Sequence, residues 1–342
     1  MLLKSKKQFI FFIVVIALAI FLSYYRMDYY IYQPGDTTSL SSVVDIDGSY
    51  ESEGDLHLVT VRGGQATPIY YIWAQIRPHY DIVDLETVRP EGITQEEYME
   101  TQLHYMENSQ EAATVVAFEA AGGDLTINYQ GAYVALVVDD MPADGNLEMG
   151  DEILEVDDIP VESAEQIVEY TQELNVGDPI EVTVLRDDQE ITVTFELEGF
   201  PDDPERPGMG ISIVTDRDVE VNPEVRYDSG QIGGPSAGLM FALEVYNRLT
   251  EEDITKGLTI VGSGEIDYEG NIHRIGGVDK KVVSAERENA SVFFAANEGG
   301  REGSNYEEAK RQAEEIDANL EVVPVDTFQD AIDYLEQLPE AN

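Results

Sequence analysis

The sequence predicts a mixed α/β protein made of two folded units behind a single N-terminal apolar helix. Three observations predict it. An uncharged run extends from Gln8 to Tyr25, a strand-turn-strand texture with one short helix fills the stretch from Gly131 to Leu197, and beyond Leu258 apolar strands alternate with amphipathic helices. A length of 342 residues exceeds the roughly 100 to 200 usual for one domain, so two units and an anchor fit the chain.

The apolar run is taken first. Lys4, Lys6 and Lys7 precede it, its centre from Phe9 to Leu22 is wholly apolar, and Arg26 and Asp28 follow. Basic flanks stay cytoplasmic, so residues 1–26 read as a cytoplasmic stub and a transmembrane anchor that meets lipid through residues 8–25. At ~1.5 Å per residue that run reaches about 27 Å, marginal for a bilayer and helped by Tyr24 and Tyr25 at the interface. The rival is a cleaved signal peptide. No small-x-small site follows the run, because Ala17 and Ala19 lie inside it, so the uncleaved anchor is favoured. Either way the remaining residues are expected outside the cell.

Charge and composition then remove several function classes. The formal charge of −49 repels a phosphate backbone, which sets nucleic acid aside as a partner. The carboxylates are scattered, which suits a solvated, halophile-like surface for high salt or alkaline medium rather than a patch for basic substrates. Without cysteine there are no disulfides, thiolate metal sites or cysteine nucleophiles, and His57, His79, His104 and His273 show no ligand spacing. No metal or cofactor is expected.

Residues 27–48 are rich in Asp, Ser, Thr, Gly and Pro without periodicity and read as a linker. Leu56 to Val61 alternates like a strand, and the spacing of Tyr98, Leu103, Met106, Ala113 and Phe118 predicts one or two amphipathic helices between Thr94 and Ala121. Nothing there reads as chemistry, and Trp73 reads as core. From Gly131 come a strand over Ala132–Val138, a turn at Pro142–Asn146, a strand over Asp151–Val156, a helix Ala164–Leu174 capped by Ser163, and strands Ile180–Leu185 and Glu190–Leu197. Later strands are expected at Ser291–Ala296 and Leu320–Val325, with helices at Asn305–Ile316 and Thr327–Leu338.

Two segments carry chemistry. In Ile232-Gly-Gly-Pro-Ser-Ala-Gly238, Pro235 suits a first helical position and Ser236 begins an apolar helix running to about Leu249. There a hydroxyl meets free backbone N–H groups that can hold an oxyanion, Gly234 and Ala237 being the supporting neighbours. A plain helix cap is the alternative. The second segment is a strand Leu258–Ser263, a hairpin over Glu265–Arg274, and a helix from about Val278 that starts with Lys280 and Lys281. Only four lysines lie beyond the N-terminal segment, at 256, 280, 281 and 310, so a pair among Val278, Val282 and Val283 asks for a reason. A lysine is a base only when neutral. At an ordinary pKa of ~10.4 and pH 7 roughly one molecule in 2,500 qualifies, a penalty of about 4.6 kcal/mol that burial and a helix N-terminus would reduce. Lys281 has the setting for both, and Lys280 competes on spacing alone.

Gly131-Ala-Tyr-Val134 with Leu147–Val161 resembles the bacterial PDZ domains of envelope proteases, which implies binding of extended peptide ends by strand addition beside the helix. Gly208–Asp216, Gly233–Gly238, Gly262–Glu265 and Gly276–Lys281 resemble, in order and spacing, the proteolytic domain of Lon-type proteases. With the anchor, the chain resembles membrane-anchored PDZ and Lon-type peptidases of Gram-positive bacteria. The resemblance implies Ser236 as nucleophile, Lys281 as general base and Ser263 as a hydroxyl that holds the lysine. It departs at Gly233, where many relatives are acidic, and at Asp279, where the family usually has lysine. It implies polypeptide substrates, a peptide or protein ligand for the PDZ-like domain, and a homo-oligomer, since relatives often form rings.

The domains expected are 27–48 as linker, 49–125 as an N-terminal part of the protease domain, 126–200 as the PDZ-like domain and 201–342 as the Lon-type proteolytic domain. With no GxxxxGK[ST] phosphate loop, the expected activity is ATP-independent serine endopeptidase action on unfolded, flexible or short polypeptides outside the membrane. Two rivals remain. Gly234-Pro-Ser-Ala-Gly238 also fits the esterase elbow, with His273 the only downstream histidine. A PDZ-bearing envelope scaffold with a latent protease domain is the non-enzymatic reading.

Overall fold

The structure, a computed structural model, describes residues 6–89, 94–138, 140–187, 189–200 and 203–339; Lys4 lies outside them. The chain divides into two compact units, one formed by residues 1–124 and 221–342 and the other by residues 125–220.

The apolar run forms helix α1 (Lys6–Tyr24), whose side chains from Phe9 to Phe21 are largely exposed. Among the described residues no helix is long and apolar enough to cross a membrane, so the expected span is not confirmed.

The supposed linker is instead folded. Strand β1 (Tyr29–Ser39) and strand β2 (Val44–Ile46) occupy it, with Ile31, Leu40, Val43 and Val44 buried. Its few apolar residues are spread along the stretch, and the intervening Ser, Thr and Asp hid the pattern. Strand β3 (Asp55–Gln65) pairs antiparallel with β1 across an irregularity between Pro34 and Thr37. Helix α2 (Pro68–Ala74) follows, then strand β4 (Asp81–Asp84), the short helix α3 (Leu85–Val88) and helix α4 (Gln95–Ala121). Trp73 is 45% exposed rather than core, because α2 turns Tyr70, Tyr71 and Ala74 inward in its place. Helix α4 is one helix, not two. Thr94 and Glu97 cap its start reciprocally, Gly122 in the left-handed region (φ 65°) stops it, and its buried residues run from Met106 to Phe118.

The second unit is a mostly β module built from β5 (Asp124–Val137), β6 (Glu152–Val156), β7 (Ile159–Pro160), α5 (Ala164–Gln172), β8 (Pro179–Arg186), β9 (Gln189–Glu196), a hairpin of β10 (Glu198–Phe200) and β11 (Asp203–Gly208), and β12 (Ile211–Asn222). Its sheet runs β12-β5-β6-β8-β9, and Ile153, Ile167, Ile180, Val182 and Met209 form its core. Asp151, almost fully buried, is gripped by the Arg186 guanidinium through two bonds of 2.7 and 2.6 Å. The boundary expected at residue 200 moves to 220, and Gly208–Asp216 belongs to this module rather than to the protease domain. Alternation from Ile211 onward makes that segment an edge strand beside β5.

The first unit resumes with β13 (Val225–Tyr227), which pairs with β2, and α6 (Gly238–Leu249). Then come β14 (Thr259–Ser263), the small hairpin of β15 (Glu265–Ile266) and β16 (Ile272–His273), α7 (Val278–Arg287), β17 (Val292–Ala296), α8 (Asn305–Glu315), β18 (Glu321–Val325) and α9 (Phe328–Glu336). The sheet runs β18-β17-β14-β3-β1-β4, with β3, β14, β17 and β18 mutually parallel. Val59, Val261, Val278, Val282 and Phe293 pack between this sheet and α7. That packing places the end of β14 beside the start of α7.

Candidate active site

Ser236 lies two residues before α6, which starts at Gly238 with Ala237 as its cap, so neither Ser236 nor Pro235 is helical. The turn is tight. Gly234 takes φ 90°, in the left-handed region that a side chain would strain. A Cβ on Gly233 would lie 2.8 Å from the Gln102 Cβ, and one on Gly238 would lie 2.6 Å from Ser109 Oγ and 2.7 Å from Ile266 Cγ2. Glycine at these positions lets the loop press directly onto α4 and the β15 hairpin.

Lys281 comes from the first turn of α7, after Gly277 in the left-handed region (φ 68°). Its Nζ donates to Ser236 Oγ and to Ser263 Oγ, both at 2.7 Å. Ser263, fully buried at the end of β14, donates its hydroxyl to the Ser236 carbonyl at 2.8 Å, and the Gly264 amide reaches the same carbonyl at 3.1 Å. The three side chains therefore form one closed hydrogen-bonded group. Lys281 is only 2% exposed, among the described residues no carboxylate bonds to it, and burial lowers its ammonium pKa to about 7.

Lys280 is equally buried but points elsewhere. Its Nζ bonds to Asp81 and, at 3.0 Å, to Asp279. Burial pulls its pKa down, but these carboxylates outweigh burial and hold it above the ordinary lysine value. Adjacent lysines thus sit in opposite electrostatic states, and spacing alone gave no way to choose between them. Asp279 has an evident partner in Lys280.

Helix α4, in which the sequence showed no chemistry, holds the loop before the serine. Ser109 Oγ donates to the Pro235 carbonyl at 2.9 Å, Gln110 Nε2 to Ser229 Oγ at 3.0 Å, and the Gly234 amide donates to the Gln102 carbonyl at 2.7 Å. The last bond corrects the expectation for Gly234: its N–H is already used and does not face a substrate. Among the described residues the Ser236 and Ala237 amides donate to no backbone carbonyl, which leaves them for an oxyanion. The available signal was polar Ser109, Gln110 and Thr114 lying within the apolar stripe of α4.

Ser236 and Lys281 border a cavity of about 790 Å³ in the first unit, whose walls include Tyr30, Tyr32, Tyr98, Met106 and Val59. Burial, then the neighbouring Tyr98, raises the Tyr32 phenol to about 12, so these rings stay neutral. Tyr30 and Tyr32 come from the stretch read as a linker. His273 is not among the cavity residues. It sits exposed on the hairpin with Nε2 2.8 Å from Asp267 Oδ2, and the hydroxyl of Ser236 is taken by Lys281, which removes the support for an esterase triad.

Residues 225–337 match the Lon protease (S16) C-terminal proteolytic domain. The first unit carries a Lon-type proteolytic domain. Residues 107–197 match a PDZ domain, overlapping most of the second unit. A Lon protease of Aster yellows witches'-broom phytoplasma is 30% identical over 124 residues, 36% of this chain and 14% of the relative. Lon protease homolog 2, peroxisomal, of Caenorhabditis elegans is 29% identical over 126 residues, 36% of this chain and 15% of the relative. The chain therefore spans about a seventh of the length of such relatives. The crystal structure of a PDZ domain of an SdrC-like protein from Listeria monocytogenes is 30% identical with a TM-score of 0.24, covering 26% of this chain and 93% of that one. The Lon-type match begins at 225, so β1, β3 and α4, which wall the cavity and hold the serine loop, lie outside it.

Proposed function

We propose that this chain is an ATP-independent serine endopeptidase in which Ser236 is the nucleophile and Lys281 the general base. The observation that carries the reading is the 2.7 Å contact between Ser236 Oγ and the Nζ of a buried lysine whose pKa lies at about 7. Neutral Lys281 takes the Ser236 proton as Oγ adds to the peptide carbonyl, and the Ser236 and Ala237 amides receive the oxyanion. The resulting ammonium passes its proton to the departing amine, leaving an acyl-serine. Water then adds, gives a proton to Lys281, and releases the acid with return of that proton to Oγ. Ser263 keeps Nζ aimed at Oγ throughout.

No phosphate-loop motif occurs in the sequence, which supports action on unfolded, flexible or short polypeptides rather than ATP-driven unfolding. The PDZ unit takes an extended peptide end as a strand added to edge strand β12 beside α5. The groove of about 150 Å³ between Ile167, Thr171, Met209 and Ile213 supports this. Helix α1 holds the protein at a cell membrane with the folded body outside. Its exposed apolar side chains and basic flank support that placement.

The test is labelling with a fluorophosphonate, followed by mass spectrometry of the adduct. An adduct on Ser236 that is lost in Lys281→Ala supports the reading. A folded protein that never labels supports instead a PDZ-bearing scaffold.

A further inference from the structure

Helix α2 is apolar all round, yet only half of it is covered. Tyr70, Tyr71 and Ala74 pack inward around Ile31 and Ala66, while Ile69, Ile72, Trp73 and Ile76 are 56, 60, 45 and 72% exposed. Ile69, Ile72 and Trp73 repeat as i, i+3 and i+4 on one face of the helix, and Ile76 follows in the turn just beyond its end. Arg77 lies over the Trp73 ring at 4.1 Å, at the edge of that face. A helix apolar on both sides meets either protein or lipid on each of them.

Two further observations say what covers the outer side. The first is position. Helix α2 touches α1, and the chain leaving α1 is tied to the residues entering α2: the Met27 amide donates to the Ala66 carbonyl at 2.9 Å and Arg26 to the Gln65 carbonyl at 3.1 Å. The exposed face therefore adjoins the helix whose own apolar side chains are exposed. The second is charge. The chain carries 69 acidic residues in 342, yet none occurs from Met1 to Met27 and none from Leu56 to Tyr80. These acid-free stretches are far apart in sequence and meet at α1 and α2. Stretches without carboxylates that present isoleucines, one tryptophan and an arginine have the chemistry of a bilayer interface, where indole and guanidinium sit among headgroups over shallowly buried aliphatic chains.

We propose that the outer face of α2, made by Ile69, Ile72 and Trp73, docks together with Ile76 in the turn after it on the lipid surface beside α1 and holds the first unit against the membrane. The proposal rests on membrane attachment through α1. Attachment at two points fixes the height and tilt of the unit, whereas α1 alone would leave it swinging on a single joint.

Trp73 is the only tryptophan in the chain, so its fluorescence reports on this face alone. The full chain is reconstituted into phosphatidylcholine vesicles, with and without lipids brominated near the headgroup end of the acyl chains. Vesicle flotation reports attachment separately. The expected result is co-flotation, blue-shifted emission and loss of Trp73 emission in the brominated vesicles. An Ile69→Ser, Ile72→Ser, Ile76→Ser variant should still float but lose the quenching. Flotation with unquenched Trp73 would overturn the docking face and leave attachment through α1 standing. Failure to float would overturn both. A concentration-dependent dimer that is lost in the triple variant, with Trp73 unquenched, would give the face to a second copy of the chain and also overturn the proposal.

Discussion

Lys281 Nζ stands 2.7 Å from Ser236 Oγ and the same distance from Ser263 Oγ, and Ser263 in turn donates to the carbonyl of Ser236. The lysine is thus held by Ser236 and by a second hydroxyl that also fixes the Ser236 backbone. Three elements remote in sequence, the turn before α6, the end of β14 and the start of α7, meet in this group.

Replacing Ser263 by alanine removes one acceptor from the Lys281 ammonium. The charged form loses a partner while the neutral form loses little, so the lysine pKa falls further and the acid limb of the pH–rate profile moves to lower pH. The weaker hold on Nζ costs about tenfold in kcat at the plateau, the scale of one charge-assisted hydrogen bond. Steady-state cleavage of a fluorogenic peptide from pH 5 to 10 reads both effects.

Burial lowers Lys281 from an ordinary 10.5 to about 7, so peptide cleavage by the wild type should rise as pH rises through about 7. The same shift affects stability. The unfolded chain binds a proton that the folded chain refuses between those two values. The cost of burying Lys281 is therefore absent above about 10.5, grows as pH falls, and is complete below about 7. A Lys281→Met variant lacks this cost. Its melting temperature should gain on the wild type as pH is lowered from 10.5 toward 7 and hold a constant difference below, which thermal denaturation at several pH values will measure.

Much of this site was legible in the sequence, for physical reasons that also explain what was not. Ser236 stood out through the glycines around it, and Lys281 through the scarcity of lysine in an acidic chain. Spacing alone could not separate the two neighbouring lysines, because the difference lies in Asp81, which only the pairing of β4 with β1 brings to Lys280. The role of α4 was hidden because its contribution is made by the Gln102 carbonyl and the Ser109 hydroxyl, which carry no motif. Residues 27–48 were misread for a different reason: their alternation is carried by a handful of apolar residues diluted with turn formers. The segment from Gly208 to Asp216 resembled one domain and folded with the other, since a glycine-flanked alternating strand suits an edge position in either sheet.

Gly238 is required by contact rather than by conformation. An added methyl group would meet Ser109 Oγ at 2.6 Å and the Ile266 amide nitrogen at 3.0 Å, and a backbone atom cannot rotate away. Gly238→Ala should cost about 1–3 kcal/mol of stability by overpacking, and it should lower kcat more than it raises KM because Ser236 is displaced. Urea denaturation together with peptide kinetics checks both statements.

In the PDZ unit, Asp151 is buried and its carboxylate is held below the usual range; burial pushes it up, but the Arg186 guanidinium and the Glu148 amide outweigh it. Arg186→Met strands that charge and should destabilise the unit by about 3–5 kcal/mol, whereas changing both residues to apolar ones should cost much less. A double-mutant cycle followed by circular dichroism separates the two outcomes.

The most direct measurement incubates the purified full-length chain with unfolded casein, in low and high salt, beside Ser236→Ala and Lys281→Ala proteins shown to be folded. The account predicts cleavage by the wild type, none by Ser236→Ala, and a loss of roughly a thousandfold or more for Lys281→Ala. Cleavage by Lys281→Ala at the wild-type rate, or by Ser236→Ala at all, would contradict it.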